Sequence, residues 1–231
     1  MKITWLGHAS FRIETGDDVL LLDPWLTGNP SFPDAHRAEA IAGVTHILIT
    51  HGHGDHASEA VEIAKETGAT VIGIYDWVTW VAGTDGIEGI GMNKGGTVMA
   101  GKTAVTMVNA VHSSSAPGPD GAPVYTGAEA GFMIAAEGKT LYAMGDTDVM
   151  ADMGLLAELH APTHAIVPIG GHFTMDARRA AFACGRFFKF EGVIPCHYKT
   201  FPLLAQSADE FAELVSPTPV HALEVMGSVE I

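Results

Sequence analysis

The chain has 231 residues, of which 47% are hydrophobic and 17% are charged. This composition fits a globular protein with a substantial core and excludes a disordered or fibrous chain. The 12 Lys and Arg residues against 27 Asp and Glu residues set the formal net charge at −15, which repels nucleic acid and anionic bilayers.

The start of the chain carries no signal-peptide pattern, and no apolar run approaches the roughly 20 residues that span a bilayer. We therefore expect a cytoplasmic, soluble protein with no membrane partner and no nucleic-acid partner.

Short strand patterns separated by turn residues open the chain, and they predict an antiparallel meander. The three runs are KITWLG, SFRIET and DVLLLD. HILIT, over 46–50, predicts a buried strand. The apolar residues between Ala57 and Ala64 then recur at the spacing of an amphipathic helix that ends near Gly68, and ATVIGI predicts the next strand.

The second half of the chain repeats this order. Its strand patterns TVMA, TAVTMVNAV, AGFMIAAEG and KTLYAMGD are followed by HAIVPIG, a helix over about 176–188, GVIPCH and a terminal helix through Phe211 and Leu214. Because each half runs from a meander into strand-helix alternation, we predict two sheets packed face to face with helices outside. This is a four-layer αββα sandwich with two similar halves, and we expect residues 1–231 to form a single domain.

THGHGDH, over 50–56, places three histidines and an aspartate within six consecutive positions. The cluster follows the strand HILIT, at the carboxyl end where ligand sites of layered α/β folds lie. In an extended segment His51 and His53 converge on one point, while Asp55 and His56 turn toward a neighbouring one. Two adjacent points predict two divalent metal ions, for which imidazole and carboxylate ligands favour Zn²⁺, with Fe and Mn²⁺ as alternatives.

HGHGDH resembles the HxHxDH motif of the metallo-β-lactamase superfamily, whose fold is the αββα sandwich. GHAS, LLDPWL, PIGGHFTM and CHYKTFP resemble the compact branch that includes L-ascorbate-6-phosphate lactonases and uncharacterised metal-dependent hydrolases. The resemblance implies that one metal ion is held by His51, His53 and His112, the other by Asp55, His56 and His197, and that Asp146 bridges them. Taken singly, His112 and His197 are also compatible with ordinary strand-end histidines.

The resemblance further implies a hydrolase that uses a hydroxide bridging the dinuclear centre to cleave a small-molecule lactone, ester, amide or phosphoester. Asp55 would orient the hydroxide and pass its proton to the leaving group. His172 would donate a hydrogen bond to the substrate oxygen, and His8 would contact the substrate; a structural histidine stays the alternative for both. Asp23 would accept a hydrogen bond from a ligand imidazole.

Two other functions stay open. A nuclease or phosphodiesterase of the same fold would use the same metal pair, although the acidic charge counts against it. A di-iron redox protein is the non-hydrolytic alternative, although related proteins carry Glu where His53 stands. The expected partner is a small molecule, whose anionic group, if it has one, would be attracted by Arg178, Arg179, Arg186 and Lys199; a homo-oligomeric state also stays open.

GTVMAGKT, over 96–103, matches the P-loop pattern G-x-x-x-x-G-K-[ST]. A P-loop opens a helix, whereas both flanks of this GK dipeptide have strand patterns, so the segment predicts a hairpin and no nucleotide site. The Ser-, Pro- and Gly-rich segment 113–127 predicts a long loop directly after His112.

Overall fold

The computed structural model describes residues 1–118 and 120–231 and contains two large β-sheets, one of seven strands and one of six. The predicted four-layer αββα sandwich is confirmed. Each sheet combines an antiparallel part with a parallel part, so the two halves are similar, as expected.

The first sheet has the strand order β15-β1-β2-β3-β4-β5-β6. Its strands are β1 (Lys2–Trp5), β2 (Phe11–Thr15), β3 (Asp18–Leu22), β4 (His46–Ile49), β5 (Thr70–Ile74), β6 (Gly89–Met92) and β15 (Ser228–Glu230). The first three strands form the predicted antiparallel meander, and β3 to β6 run parallel. β6 and β15 had no recognised pattern in the sequence.

The second sheet has the strand order β14-β13-β12-β11-β8-β7. Its strands are β7 (Thr97–Ala100), β8 (Thr103–Asn109), β11 (Ala130–Ala136), β12 (Lys139–Ala143), β13 (His164–Pro168) and β14 (Gly192–Cys196). A separate hairpin of β9 (Ser115–Pro117) and β10 (Pro123–Tyr125) lies in the predicted loop 113–127 and belongs to neither large sheet. Pro119 of that loop lies outside the described residues.

Seven α-helices connect the strands within the described ranges. They are α1 (Arg37–Ile41), α2 (Gly54–Ala57), α3 (Ala60–Thr67), α4 (Tyr75–Asp85), α5 (Asp152–His160), α6 (Ala177–Phe187) and α7 (Asp209–Val215). The helix predicted after the histidine cluster is divided into α2 and α3, and Gly68 ends α3 in a left-handed conformation, φ +74°. No helix of the described residues is both long and apolar enough to cross a bilayer.

The P-loop-like segment forms the predicted hairpin. β7 and β8 pair antiparallel around a Gly101-Lys102 turn, and no helix opens there. The carboxylate of Asp18 accepts hydrogen bonds of 2.8 Å from the Lys102 amide and the Thr103 hydroxyl. A carboxylate therefore occupies the donors that a phosphate would need.

Glu59 lies at the break between α2 and α3. Its buried carboxylate accepts hydrogen bonds from the backbone amides of Leu26 and Thr27, from the Thr27 hydroxyl and, at 3.1 Å, from Arg37 Nε. The side chain thus ties the helix region to the segment after β3. Burial by itself would raise the pKa of Glu59, but the hydrogen bonds from Thr27 and Arg37 outweigh it and lower the pKa.

We expect Glu59→Gln to lower the free energy of unfolding by about 2 kcal/mol at neutral pH, because it weakens hydrogen bonds to a buried charge. The folded-state pKa lies below the ordinary 4.5, so this contribution is present above that pH and is lost as the pH falls below it. Urea unfolding of both proteins at neutral pH and at about pH 3 measures the difference, which should shrink in acid. Glu62→Gln removes an exposed partner of Arg37 and should cost less than about 0.5 kcal/mol.

Candidate metal centre

The side chains singled out in the sequence come from the carboxyl ends of strands in both sheets. In the first sheet, Asp23 follows β3 and the cluster 51–56 follows β4. In the second sheet, His112, Asp146 and His197 follow β8, β12 and β14. Residues separated by more than a hundred positions therefore meet at one edge of the sandwich.

His51, His53 and His112 form the first group of donors. His51 Nε2 lies 2.9 Å from His53 Nδ1, and one ring nitrogen from each of the three lies within 4.8 Å of the others. Burial is the main cause that lowers the pKa of all three rings. Neutral imidazoles keep the lone pair that a metal ligand needs.

Asp55, His56 and His197 form the second group, and Asp146 lies between the two. Asp146 Oδ2 is 3.0 Å from His197 Nε2, 3.3 Å from His56 Nε2 and 3.6 Å from His112 Nε2. All seven residues expected as ligands are therefore brought together.

The second group is charged. Burial alone would raise the pKa of Asp146, but the charges and hydrogen bonds of His197 and His56 outweigh burial and hold the pKa well below its usual range. Burial alone would lower the pKa of His56, but the negative charges of Asp146 and Asp23 outweigh burial and raise the pKa. The buried carboxylate thus requires a positive charge beside it.

The donor set fits divalent cations. Among the described residues, the buried atoms His56 Nε2 and Asp146 Oδ1 have no hydrogen-bond partner. Buried polar atoms without a partner are rare in folded proteins and point to an ion or another group not represented by the polypeptide. Imidazole nitrogens and carboxylate oxygens are the donors that Zn²⁺ accepts.

Asp23 orients His56. Its carboxylate accepts hydrogen bonds from His56 Nδ1 at 2.9 Å, from the Thr50 amide at 2.8 Å and from the Thr50 hydroxyl at 2.6 Å. Nε2 of His56 is thereby directed toward Asp146. Asp23 lies where the sequence predicted it, behind a candidate ligand, and its part in metal binding stays a prediction.

His8 lies behind Asp55 and has no exposed surface, so it does not face the cleft. His8 Nε2 is 3.1 Å from Asp55 Oδ2, its Nδ1 is 2.9 Å from the Thr200 hydroxyl, and its ring lies 4.0 Å from that of His197. Burial lowers the pKa of His8 to about 4. Because an ionised carboxylate only accepts hydrogen bonds, His8 Nε2 is the donor to Asp55.

The structure does not bring His172 to the ligand set. A cleft of about 630 Å³ opens in front of Asp55 and Asp146, and the neighbouring Phe173, not His172, lines it. The exposed ring of His172 lies edge-on to Phe173, with centroids 4.6 Å apart, and makes no side-chain hydrogen bond within the described part of the chain. Its catalytic role and its role in substrate binding stay predictions.

Three supporting residues carried no recognised signal in the sequence. The Ser114 hydroxyl accepts from the Gly52 amide at 3.2 Å, and Glu129 Oε1 accepts from the His112 amide at 3.1 Å. Thr200 adjoins His8. Each acts across a long sequence separation, which periodicity and spacing do not detect.

The backbone of the site is strained. His8, Asp23 and His197 are left-handed, with φ of 52°, 45° and 56°. Non-glycine residues adopt this region rarely, at a cost of about 1–3 kcal/mol each, and such residues cluster at functional sites. A Cβ on Gly170 would also collide with the carbonyl oxygen of His197.

A family model described as a beta-lactamase superfamily domain matches residues 2–197. The chain belongs to this superfamily. A UPF0173 metal-dependent hydrolase of Dinoroseobacter shibae is 61% identical over 100% of both chains, and one of Cereibacter sphaeroides is 59% identical with the same coverage. Within the superfamily, the chain therefore belongs to this family of metal-dependent hydrolases.

Among solved structures of the superfamily fold, Igni18, a metallo hydrolase from Ignicoccus hospitalis, matches with a TM-score of 0.85. It is 32% identical and the match covers 100% of this chain and 98% of that chain. The predicted resemblance to the superfamily is therefore confirmed.

We expect Gly170→Ala to displace His197 and to lower the free energy of unfolding by about 1–3 kcal/mol, as overpacking does in cores. Gly185→Ala is the matched control, because a Cβ there meets no atom within 4 Å and the position lies inside α6. That change should stabilise the protein by up to about 1 kcal/mol. Urea unfolding measures both, and equal stability of the two variants would contradict the close approach.

Proposed function

We propose that the protein hydrolyses a small-molecule lactone, ester, amide or phosphoester at a dinuclear metal centre. Zn²⁺ is the preferred ion, with Mn²⁺ or Fe as alternatives. The observation that carries the proposal is the convergence of two donor groups on one buried carboxylate, Asp146. Membership of a family of metal-dependent hydrolases supports it.

In the proposal, His51, His53 and His112 would hold one ion and Asp55, His56 and His197 the other, with Asp146 as a ligand available to both. Bound divalent cations supply Lewis acidity and lower the pKa of water toward neutrality. The neutral rings of the first group are ready to coordinate without losing a proton. His56 in the second group would have to be neutral at Nε2 to hold an ion.

Asp55 is the proposed proton carrier. It lines the cleft, and its side chain is 28% exposed. Burial alone would raise its pKa, but the charge of His56 and the hydrogen bond from His8 prevail and lower it. The side chain is therefore ionised, and its place in the cleft suits it to receive a proton from the attacking water and to deliver it to the leaving oxygen or nitrogen. His8 positions this carboxylate from behind.

Metal content and turnover test the proposal. We expect two equivalents of Zn²⁺ or Mn²⁺ per chain by elemental analysis, hydrolysis of at least one member of a lactone, ester, anilide and phosphodiester panel, and loss of turnover on chelation. Asp146→Asn should abolish the second equivalent and turnover, and Asp23→Asn should lower metal affinity by about 10–100-fold.

Asp34→Asn, at an exposed aspartate that neither lines the cleft nor belongs to a donor group, is the control and should change neither quantity. Two bound ions and full turnover in Asp146→Asn would overturn the proposed dinuclear centre. A fully metal-loaded protein without turnover on the panel would overturn the proposed hydrolase activity. Inclusion of RNA in the panel would detect the nuclease alternative.

His172 has a separate test. A donor to the developing oxyanion is worth about 100–1,000-fold in kcat. Because its ring lies against Phe173 outside the cleft, we expect His172→Ala to lower kcat by less than about threefold, below what loss of such a donor costs. A loss of a hundredfold or more in steady-state assays would show that the ring turns into the cleft and acts as first predicted.

A further inference from the structure

The cleft in front of the ligand set has an apolar wall. Phe173 and Leu203 line it and are 50% and 63% exposed, and Phe201 and Pro202 continue the same surface. Phe201 is stacked on Trp25, with ring centroids 5.8 Å apart, so the wall is backed by packed side chains. Large apolar side chains are thus held open to the space in which a substrate would lie.

No lysine or arginine lines this cleft among the described residues. None of the four cations expected to attract an anionic substrate, Arg178, Arg179, Arg186 and Lys199, is among the residues that line it. Arg179 pairs with Asp176 and Asp148, and Lys199 pairs with Glu224. Arg186 lines a different cavity, beside α5.

We propose that the site selects a neutral carboxylic ester or lactone whose apolar acyl chain lies on the Phe173–Leu203 wall. The inference rests on the proposed hydrolase function and names its substrate class. The oxygen of water bonds to the acyl carbon, the bond from that carbon to the ester oxygen breaks, and one proton passes to the leaving oxygen. A carboxylate or phosphate on the acyl chain would meet apolar surface without a protein cation to pair with it.

A small molecule fits this surface better than a second copy of the chain. Small-molecule sites have mainly apolar walls around a few converging polar groups, and this wall ends at the ligand set. The volume of the cleft, about 630 Å³, falls in the usual range of about 300–1,000 Å³ for such sites.

The test compares p-nitrophenyl acetate, butyrate, hexanoate and monosuccinate with the metal-loaded protein. The leaving group is constant, so differences in kcat/KM report on the acyl chain. We expect kcat/KM to increase by roughly threefold to fourfold for each methylene that is buried. The succinate ester, in which a carboxylate replaces the terminal methyl group of the butyrate, should be at least tenfold poorer than the butyrate.

Variants locate the effect. Phe173→Ala and Leu203→Ala should flatten the dependence on chain length, and Leu203→Arg should reverse the preference between butyrate and succinate. Phe182→Ala and Leu159→Ala are matched controls, since these side chains are 58% and 75% exposed on α6 and α5, away from the cleft lining. Both controls should keep the wild-type dependence.

The outcomes separate the two proposals. If the loaded protein hydrolyses no member of the ester series or of the wider panel, the hydrolase function fails. If it hydrolyses the esters with no dependence on chain length, or prefers succinate, the apolar substrate class alone is wrong. A dimer by sedimentation that Phe173→Ala or Leu203→Ala dissociates, without a change in chain-length dependence, would assign the wall to a second copy and overturn the inference.

Discussion

Asp146 carries a negative charge in the interior of the protein, and the candidate site is arranged around the need to offset it. Burying an unpaired carboxylate is costly, so its stability depends on positive charge nearby. His56 and His197 lie within about one hydrogen-bond length of it, and His56 is itself held from the other side by Asp23. A proton or a metal cation can supply that charge, which couples cation binding to the stability of the folded site.

This charge arrangement exists because two sheets end at one edge. The antiparallel meanders bring β3 and β8 into the same layers as the parallel strands that follow them, and the candidate ligand residues stand just beyond strand ends. The rigid strands fix the positions of these residues, and the short strained turns fix the directions of their side chains. The left-handed backbone at His197, one residue beyond β14, directs its ring toward Asp146, and that at Asp23, one residue beyond β3, directs the carboxylate toward His56.

The cleft has a polar floor and an apolar wall. The charged side chains and the candidate ligands lie at its floor, where Asp55 is the partly exposed carboxylate. The wall, formed by Phe173 and Leu203, has no means of pairing an ionic substrate. The net charge of the chain has the same sign as an anionic substrate, so long-range attraction does not compensate for the missing local cation.

Much of the fold follows from patterns that are local in the sequence. Most strands of both sheets, the end of α3 at Gly68 and the start of α6 at Asp176 agree with the predictions. α4, α5 and β15 were not recognised. The helix after the histidine cluster is divided next to Glu59, whose side chain bonds to a segment more than thirty residues away, an interaction that helical periodicity does not encode.

The sequence by itself determined the residue types and the spacing of the cluster 51–56, because neighbouring residues on one turn are placed by local backbone geometry alone. It also determined that further candidate ligands follow strands. Only the tertiary structure decided that His8 stands behind Asp55, that Phe173 rather than His172 enters the cleft, and that no cation lines the cleft among the described residues. The direction of a loop side chain depends on contacts with distant segments, and those contacts exist only once both sheets have formed.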